Sequence, residues 1–243
     1  MTVSPMSSRS PIRGILFDKD GTLVDYEASW NPVNRRAARL AARGDAALAG
    51  RLLAQVGADP HNGRAVADSI IAAGTTLAIA TAWVAGGAPF TVADLTGELD
   101  TLFRDSAAHM VPVTDLAALF ARLKSRGLKL GIASSDNEAS IHALLAAFGL
   151  GGVLDFIAGY DSGYAAKPDP AVLAAFCAAT GLVPSQVAMV GDNTHDVAMG
   201  WAGGAGLSIG VLTGTGTRAS LTPSSDLCLD SVADLEAALF EIG

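Results

Sequence analysis

Short apolar runs alternate with longer helical patterns over most of the chain. Residues 14–17 form an uncharged run of four, and polar residues follow it at once. A parallel strand that is covered on both faces has such a continuous apolar sequence. Strands that alternate with helices indicate a parallel sheet with helices on its faces. We therefore predict a doubly wound α/β core of the Rossmann-like type, with further strands within residues 128–133, 154–158, 185–190, 207–211 and 227–229.

The stretch after the first strand has a different pattern. Residues 25–108 contain no convincing strand, only alanine-rich helical segments interrupted by glycines. We predict that residues 25–109 form an all-helical inserted domain, and that residues 1–24 and 110–243 form the core. Residues 1–10 contain small polar side chains without an apolar signal core, so we expect a loose leader.

One uncharged segment of the insertion, residues 69–91, is long enough to suggest a membrane span. It consists mainly of small residues, however, and Gly86 and Gly87 interrupt it. Acidic residues flank it, at Asp68 and Asp94, where a membrane span carries basic ones. We predict a buried helix here and no contact with a membrane.

Composition narrows the function further. The chain has 243 residues, of which 50% are hydrophobic and 16% are charged, which suits a large folded core. Its net charge of −8 argues against a nucleic-acid partner, because such binding depends on basic surfaces. Cys177 and Cys228 lie far apart, so we expect free thiols in a cytoplasmic protein. The apolar insertion allows either a dimer surface or a self-contained unit.

Polar residues that suit phosphate chemistry follow four of the predicted strands. Because the carboxyl ends of parallel strands meet at one edge of a sheet, these side chains can converge. Carboxylates bind Mg²⁺, while an ammonium and a hydroxyl bind phosphate oxygens. In chain order these residues are Asp18, Asp20, Ser134, Lys167, Asp192 and Asp196.

Each of these positions also has a purely structural interpretation. Asp18 and Asp20 could form an acidic turn in which Gly21 supplies backbone freedom. Lys167 could be an exposed loop residue. At the last motif, Thr194 could cap a helix and Asp196 could interact with the helix dipole.

The four motifs together resemble those of the haloacid dehalogenase superfamily. The matching segments are residues 18–22, Ser134, Lys167 and residues 191–196. The resemblance covers the core, and the position of the insertion is similar to that of members with a helical cap. Such members include phosphoglycolate phosphatases and β-phosphoglucomutases. The resemblance implies a core with an inserted cap domain.

The resemblance also implies roles for individual residues. Asp18 corresponds to the nucleophile that forms an aspartyl-phosphate. Asp20 corresponds to the general acid and base, with its backbone carbonyl on the metal. Ser134 and Lys167 correspond to the phosphate-binding positions, and Lys167 also restrains Asp18.

The remaining motif residues are expected around the metal. Asp192 corresponds to the third protein ligand of Mg²⁺, and Asp196 to a further ligand or a residue that supports the ligands. Thr22 is expected to orient Asp20 through its hydroxyl, and Asn193 to lie beside the metal.

The chemistry at Asp20 selects among the reactions of this superfamily. Dehalogenase members lack an acid at this position, and phosphonatase members use a cap lysine, but residues 25–109 contain no lysine. We therefore expect a Mg²⁺-dependent phosphatase that acts on a small phosphorylated metabolite, with phosphoglycolate as the first candidate. Two alternatives stay open: a sugar-phosphate mutase of the β-phosphoglucomutase type, and a non-catalytic module that binds a phosphometabolite.

Three residues near the first motif could contact a substrate. Tyr26, Trp30 and Asn31 follow the paired aspartates closely and could overhang the crevice at the sheet edge. Their alternative role is to pack the inserted helices against the core.

Overall fold

The computed structural model describes residues 11–240, so the leader expected at residues 1–10 lies outside the described residues. Its core is a six-stranded sheet in the order β3-β2-β1-β4-β5-β6. Every neighbouring pair of strands is parallel, which confirms the predicted sheet. The strands are β1 (Gly14–Phe17), β2 (Lys129–Ala133), β3 (Phe156–Ala158), β4 (Val187–Gly191), β5 (Leu207–Val211) and β6 (Leu227–Leu229).

Helices separate these strands along the chain, and the first five of them lie within residues 25–109, the predicted insertion. These five are α1 (Tyr26–Ala41), α2 (Ala46–Gln55), α3 (Ile70–Ala73), α4 (Thr76–Ala85) and α5 (Val92–Ser106). The others are α6 (Leu116–Ser125), α7 (Glu138–Ala147), α8 (Ala171–Thr180), α9 (Thr194–Ala202), α10 (Arg218–Leu221) and α11 (Leu235–Phe240). Single turns of 3-10 helix occur at Ala107–His109, Pro184–Gln186, Thr222–Ser224 and Val232–Asp234.

Alternate residues of β1 pack on opposite faces of the sheet. Ile15 and Phe17 belong to an apolar cluster that includes residues of α6, α7 and α11. Leu16 belongs to a second cluster, which includes residues of α8 and α9. Side chains alternate across a strand, so this division follows directly from the extended backbone. Helices on both faces explain why β1 carries no polar residue.

The inserted helices have an apolar cluster of their own. Nearly all of its buried members lie within residues 24–110, and Leu144 of α7 is the exception. The buried helix predicted within residues 69–91 is present but divided in two: Gly74 ends α3, and Thr75 caps α4 by accepting the backbone N–H of Ala78. In the described part of the chain, residues 11–240, no helix has the length and apolar character that crossing a membrane requires. The boundaries predicted for the two domains stay a prediction.

Candidate active site

The predicted site residues lie at the carboxyl edge of the sheet. Asp18 follows β1, and its backbone N–H donates to the Val190 carbonyl at 2.8 Å. Ser134 follows β2, and its N–H donates to the Ala158 carbonyl at 2.9 Å. Asp192 follows β4 and is fully buried. The sheet hydrogen bonding thus extends to the first residue beyond the strands and places these side chains side by side.

Lys167 links the first and last motifs. Its side chain is only 5% exposed, and its Nζ lies 2.6 Å from Asp18 Oδ1 and 2.6 Å from Asp196 Oδ1. Burial alone would lower the pKa of Lys167, but the two carboxylates raise it above its ordinary value, so the ammonium stays charged. The interpretation of Lys167 as an exposed loop residue is therefore wrong. The lysine instead offsets the repulsion between two buried carboxylates.

Asp196 also has a structural contact at the start of α9. Its Oδ2 accepts the backbone N–H of Asn193 at 3.0 Å, while Oδ1 accepts from Lys167. Asn193 rather than Thr194 is the N-cap, since α9 begins at Thr194. The Thr194 hydroxyl donates instead to Asp68 Oδ1 at 2.8 Å, which joins the core to the insertion. The predicted Thr194 cap is wrong, because its side chain has a partner in the inserted helical region.

The hydrogen bonds of Asp192 satisfy only one of its two carboxylate oxygens, which bears on whether a metal ion binds here. Its Oδ2 accepts from Asn193 Nδ2 at 2.9 Å and from the Thr215 N–H at 2.8 Å. Its Oδ1 is buried and has no hydrogen-bond partner within residues 11–240. A buried carboxylate oxygen without a partner is costly unless something else binds it.

A hard divalent cation fits this arrangement. Single carboxylate oxygens of Asp18, Asp192 and Asp196 all lie within 4.8 Å of one another. Burial raises the pKa of Asp18 to about 7, although Lys167 opposes the shift. Burial, together with the charges of Asp18 and Asp196, also raises the pKa of Asp192. The donor set of clustered carboxylate oxygens is one that Mg²⁺ prefers, and its charge would relieve both shifts.

Asp20 is held by two donors at a single oxygen. Lys19 Nζ lies 2.7 Å from Asp20 Oδ1, and Trp30 Nε1 donates to the same oxygen at 2.8 Å. Lys19 is almost completely buried and also pairs with Asp136 at 3.1 Å. Lys19 is not among the site residues predicted from the sequence, although a lysine directly after an apolar strand is a signal for a buried ion pair.

The contact expected between Thr22 and Asp20 is not formed. The Thr22 hydroxyl is buried and has no hydrogen-bond partner among residues 11–240. Thr22 is followed by a chain reversal in which the Leu23 N–H donates to the Lys19 carbonyl at 2.9 Å. Asn193 does lie beside the carboxylates, because it bonds both Asp192 and Thr215.

A small cavity separates these residues from the inserted helices. Trp30 and Tyr26 line it as expected, whereas Asn31 does not, and Asn34 from the next turn of α1 does. The other lining residues are, from the core, Asp18, Asp20, Ser134, Ser135, Asp136, Asn193 and His195 and, from the insertion, Ile71, Ala72, Gly74, Thr76, Ile79 and Phe103.

Comparison with known proteins identifies the family. The sequence model of the haloacid dehalogenase-like hydrolases matches residues 12–204, which span β1 to the end of α9. This chain is a member of the haloacid dehalogenase-like hydrolase family. This match confirms the expected family, and the parallel sheet confirms the expected α/β core.

Individual relatives agree with the family. The phosphoglycolate phosphatase of Yersinia pseudotuberculosis is 29% identical over 236 residues, covering 94% of this chain and 93% of the relative. That of Rhodospirillum rubrum is 38% identical over 87 residues, so this match spans about a third (36%) of each chain. A crystal structure described as a predicted phosphoglycolate phosphatase from Haemophilus somnus 129pt shares the fold. Its TM-score is 0.70 at 20% identity, covering 93% of this chain and 97% of that one.

Proposed function

We propose that this haloacid dehalogenase-like hydrolase is a Mg²⁺-dependent cytoplasmic phosphatase. Its substrate would be a small phosphate monoester related to phosphoglycolate, and the reaction would pass through an aspartyl-phosphate on Asp18. The observation that carries the proposal is the position of Lys167 between Asp18 and Asp196, next to the unpartnered Oδ1 of Asp192. This arrangement combines a held carboxylate, a fixed positive charge and a cation site, which phosphoryl transfer requires together.

Asp18 is the proposed nucleophile. Lys167 binds its Oδ1, so that Oδ2 can attack phosphorus while the bond between phosphorus and the ester oxygen breaks. The Lys167 ammonium favours the ionised carboxylate, which is the reactive form, against the burial that favours the protonated one. Lys167 therefore both orients and activates Asp18.

The phosphoryl oxygens would be bound by fixed charges and by one hydroxyl. The Ser134 Oγ accepts the Asp136 N–H at 3.1 Å, which leaves its own proton free to be donated to a phosphoryl oxygen. Lys167 would supply positive charge to the same phosphoryl oxygens. Asp18, Asp192, Asp196 and the backbone carbonyl of Asp20 would hold Mg²⁺, which when bound supplies positive charge to the phosphoryl group.

Asp20 is the proposed proton carrier. Its Oδ2 makes none of the bonds that hold Oδ1, and the residue lines the cavity. A protonated Asp20 would give its proton to the departing alkoxide. The resulting carboxylate would then take a proton from the water that hydrolyses the aspartyl-phosphate, which restores the starting state.

We also propose that residues 25–109 act as a cap domain. Helix α1 contributes Tyr26, Trp30 and Asn34 to the cavity, opposite Asp18 and Ser134 of the core. The similarity to a phosphoglycolate phosphatase over 94% of this chain supports a phosphatase over a sugar-phosphate mutase.

The test is phosphate release from a panel of small phosphate esters that includes phosphoglycolate and a hexose 1-phosphate. We expect release with Mg²⁺, none with EDTA, and loss of turnover in Asp18→Asn with an unchanged circular dichroism spectrum. Asp105→Asn is the control, because this carboxylate is 60% exposed and pairs with its neighbour Arg104. Isomerised sugar phosphate without free phosphate, followed by NMR, would identify a mutase instead. Binding of esters without turnover at any Mg²⁺ concentration would identify a binding module.

A further inference from the structure

The residue between the two motif aspartates forms a buried ion-pair network under the cavity. The side chain of Lys19 is 2% exposed, and its Nζ lies 2.7 Å from Asp20 Oδ1 and 3.1 Å from Asp136 Oδ2. The two carboxylates differ in exposure, at 18% for Asp20 and 5% for Asp136. Both carboxylates line the cavity, and Asp136 is the more buried of the two. Lys19 connects the two.

The second donor to Asp20 comes from the inserted helices. Trp30 Nε1 donates to Asp20 Oδ1 at 2.8 Å, and the Trp30 ring lies 5.4 Å from Lys19 Nζ. Tyr26 stacks on the indole at 6.3 Å between ring centroids, and Phe103 contacts it edge-on at 5.1 Å. These aromatic contacts hold the indole N–H in one direction.

Both donors bind Oδ1 of Asp20, and this restricts the position of the second carboxylate oxygen, Oδ2. A carboxylate held at one oxygen by a cation and an N–H cannot rotate freely about its side-chain bonds. Restricting Asp20 in this way lowers the entropic cost of placing Oδ2 against the substrate.

We propose that Lys19 and Trp30 are positioning residues that hold Asp20 Oδ1 so that Oδ2 exchanges the proton with the leaving group. The proposal rests on the proposed phosphatase function. It assigns to Lys19 and Trp30 the orienting role that the sequence suggests for Thr22. It also makes the geometry of the acid depend on a contact from the inserted helices.

The dependence on leaving group distinguishes this role from a structural one. An alkoxide needs a proton as it departs, whereas p-nitrophenolate leaves without one. The parameter kcat/KM reports the steps up to departure of the first product, so hydrolysis of the aspartyl-phosphate does not affect it. The experiment compares kcat/KM for the best alkyl phosphate of the panel with that for p-nitrophenyl phosphate.

The variants are Lys19→Met, which keeps the length of the side chain, and Trp30→Phe, which keeps a ring but loses the N–H. We expect Lys19→Met to lower kcat/KM about 100-fold for the alkyl ester and less than 10-fold for p-nitrophenyl phosphate. We expect Trp30→Phe to lower kcat/KM by about 10-fold for the alkyl ester and by about 2-fold for p-nitrophenyl phosphate. Asp20→Asn is the benchmark for a full loss of the acid. Trp83→Phe is the matched control, because its indole donates to the Leu52 carbonyl at 2.8 Å, away from Asp20.

The outcomes separate the two proposals. The positioning role is overturned if Lys19→Met and Trp30→Phe each lower kcat/KM equally for both esters while Asp20→Asn lowers it mainly for the alkyl ester. The proposed phosphatase function is unaffected by that result. No hydrolysis of any ester by the unmodified protein overturns both. If Lys19→Met does not fold, Trp30→Phe decides alone, because the other aromatic contacts remain around its ring.

Discussion

The phenol hydroxyl of Tyr160 donates a hydrogen bond of 2.9 Å to Asp100 Oδ2, across 60 residues of sequence. Asn137 Nδ2 donates to the other oxygen of the same carboxylate at 2.9 Å. Asp100 lies on α5 of the insertion, whereas Asn137 and Tyr160 follow β2 and β3 of the core. One carboxylate thus joins the inserted helices to two loops at the active-site edge of the sheet.

This contact predicts a measurable coupling between the two regions. We expect Tyr160→Phe to lower the free energy of unfolding by about 1 kcal/mol, because Asp100 loses one of its donors. Urea unfolding of Tyr160→Phe, Asp100→Asn and the double variant gives the coupling energy. Tyr164→Phe is the control, since Tyr164 is 39% exposed and contacts Phe156 through its ring. Additive effects of Tyr160→Phe and Asp100→Asn would contradict the prediction.

The unpartnered Oδ1 of Asp192 predicts stabilisation by magnesium without any substrate. Binding to the folded state alone stabilises it by about 2.7 kcal/mol when the ligand is at 100 times its Kd. For a chain of this length that shift raises Tm by several degrees. We expect Asp192→Asn to lose most of this increase in a thermal unfolding experiment, and Asp105→Asn to retain it. The same increase in the presence of EDTA would show that the effect does not come from the cation.

Gly21 and Gly97 predict opposite responses to the same substitution. Gly21 has a φ of +80°, and a Cβ there would lie 2.6 Å from Asp192 Cγ and 2.7 Å from Gly214 Cα. We expect Gly21→Ala to lower the free energy of unfolding by about 1–2 kcal/mol and to reduce turnover, because Asp192 must move. Gly97 lies in α5, where a Cβ would have no neighbour within 4 Å among residues 11–240 apart from its own helix turn. Gly97→Ala should therefore raise stability by about 0.5–1 kcal/mol in the same urea titration, with unchanged turnover.

Asp155 predicts a stability difference that depends on pH. Burial would raise its pKa, but hydrogen bonds from Lys124, the Leu130 N–H and Lys129 outweigh burial and lower it from its ordinary value of 3.8. A lowered pKa in the folded state means that Asp155 stabilises the fold above about pH 4 and loses this effect as the pH falls through the folded-state value. We expect Asp155→Asn to cost about 1 kcal/mol at pH 7.

The pH series provides the control for this prediction. Urea unfolding at pH 7, 5 and 3 should show the difference between the protein and Asp155→Asn decreasing towards the lowest pH. Asp105→Asn, with its exposed carboxylate, should show a small difference throughout. A cost of Asp155→Asn that stays constant down to pH 3 would mean that its charge is not involved.

Local sequence patterns predicted most of the core but not its exact limits. The apolar run at 128–133 predicted β2, which begins one residue later, at Lys129. The run at 154–158 predicted β3, which begins two residues later, at Phe156. The intervening Asp155 accepts a bond from the Leu130 N–H, so it belongs to the approach to the strand. The first residue of a strand depends on its hydrogen bonds to the neighbouring strand, and the hydrophobic pattern of one segment does not specify that neighbour.

The residues of the candidate site were predictable from the sequence, but most of their contacts were not. The sequence by itself determined the residue types at the strand ends, because parallel strands must bring Asp18, Ser134 and Asp192 to one edge. Only the tertiary structure decided the partners of these groups. The resemblance implied that Lys167 restrains Asp18, but not that it also binds Asp196. Asp20 accepts from Trp30 of the insertion and from the adjacent Lys19 instead of from the Thr22 hydroxyl. The physical reason is that hydrogen bonds and ion pairs depend on distances of about 3 Å between side chains, which periodicity along one chain does not specify.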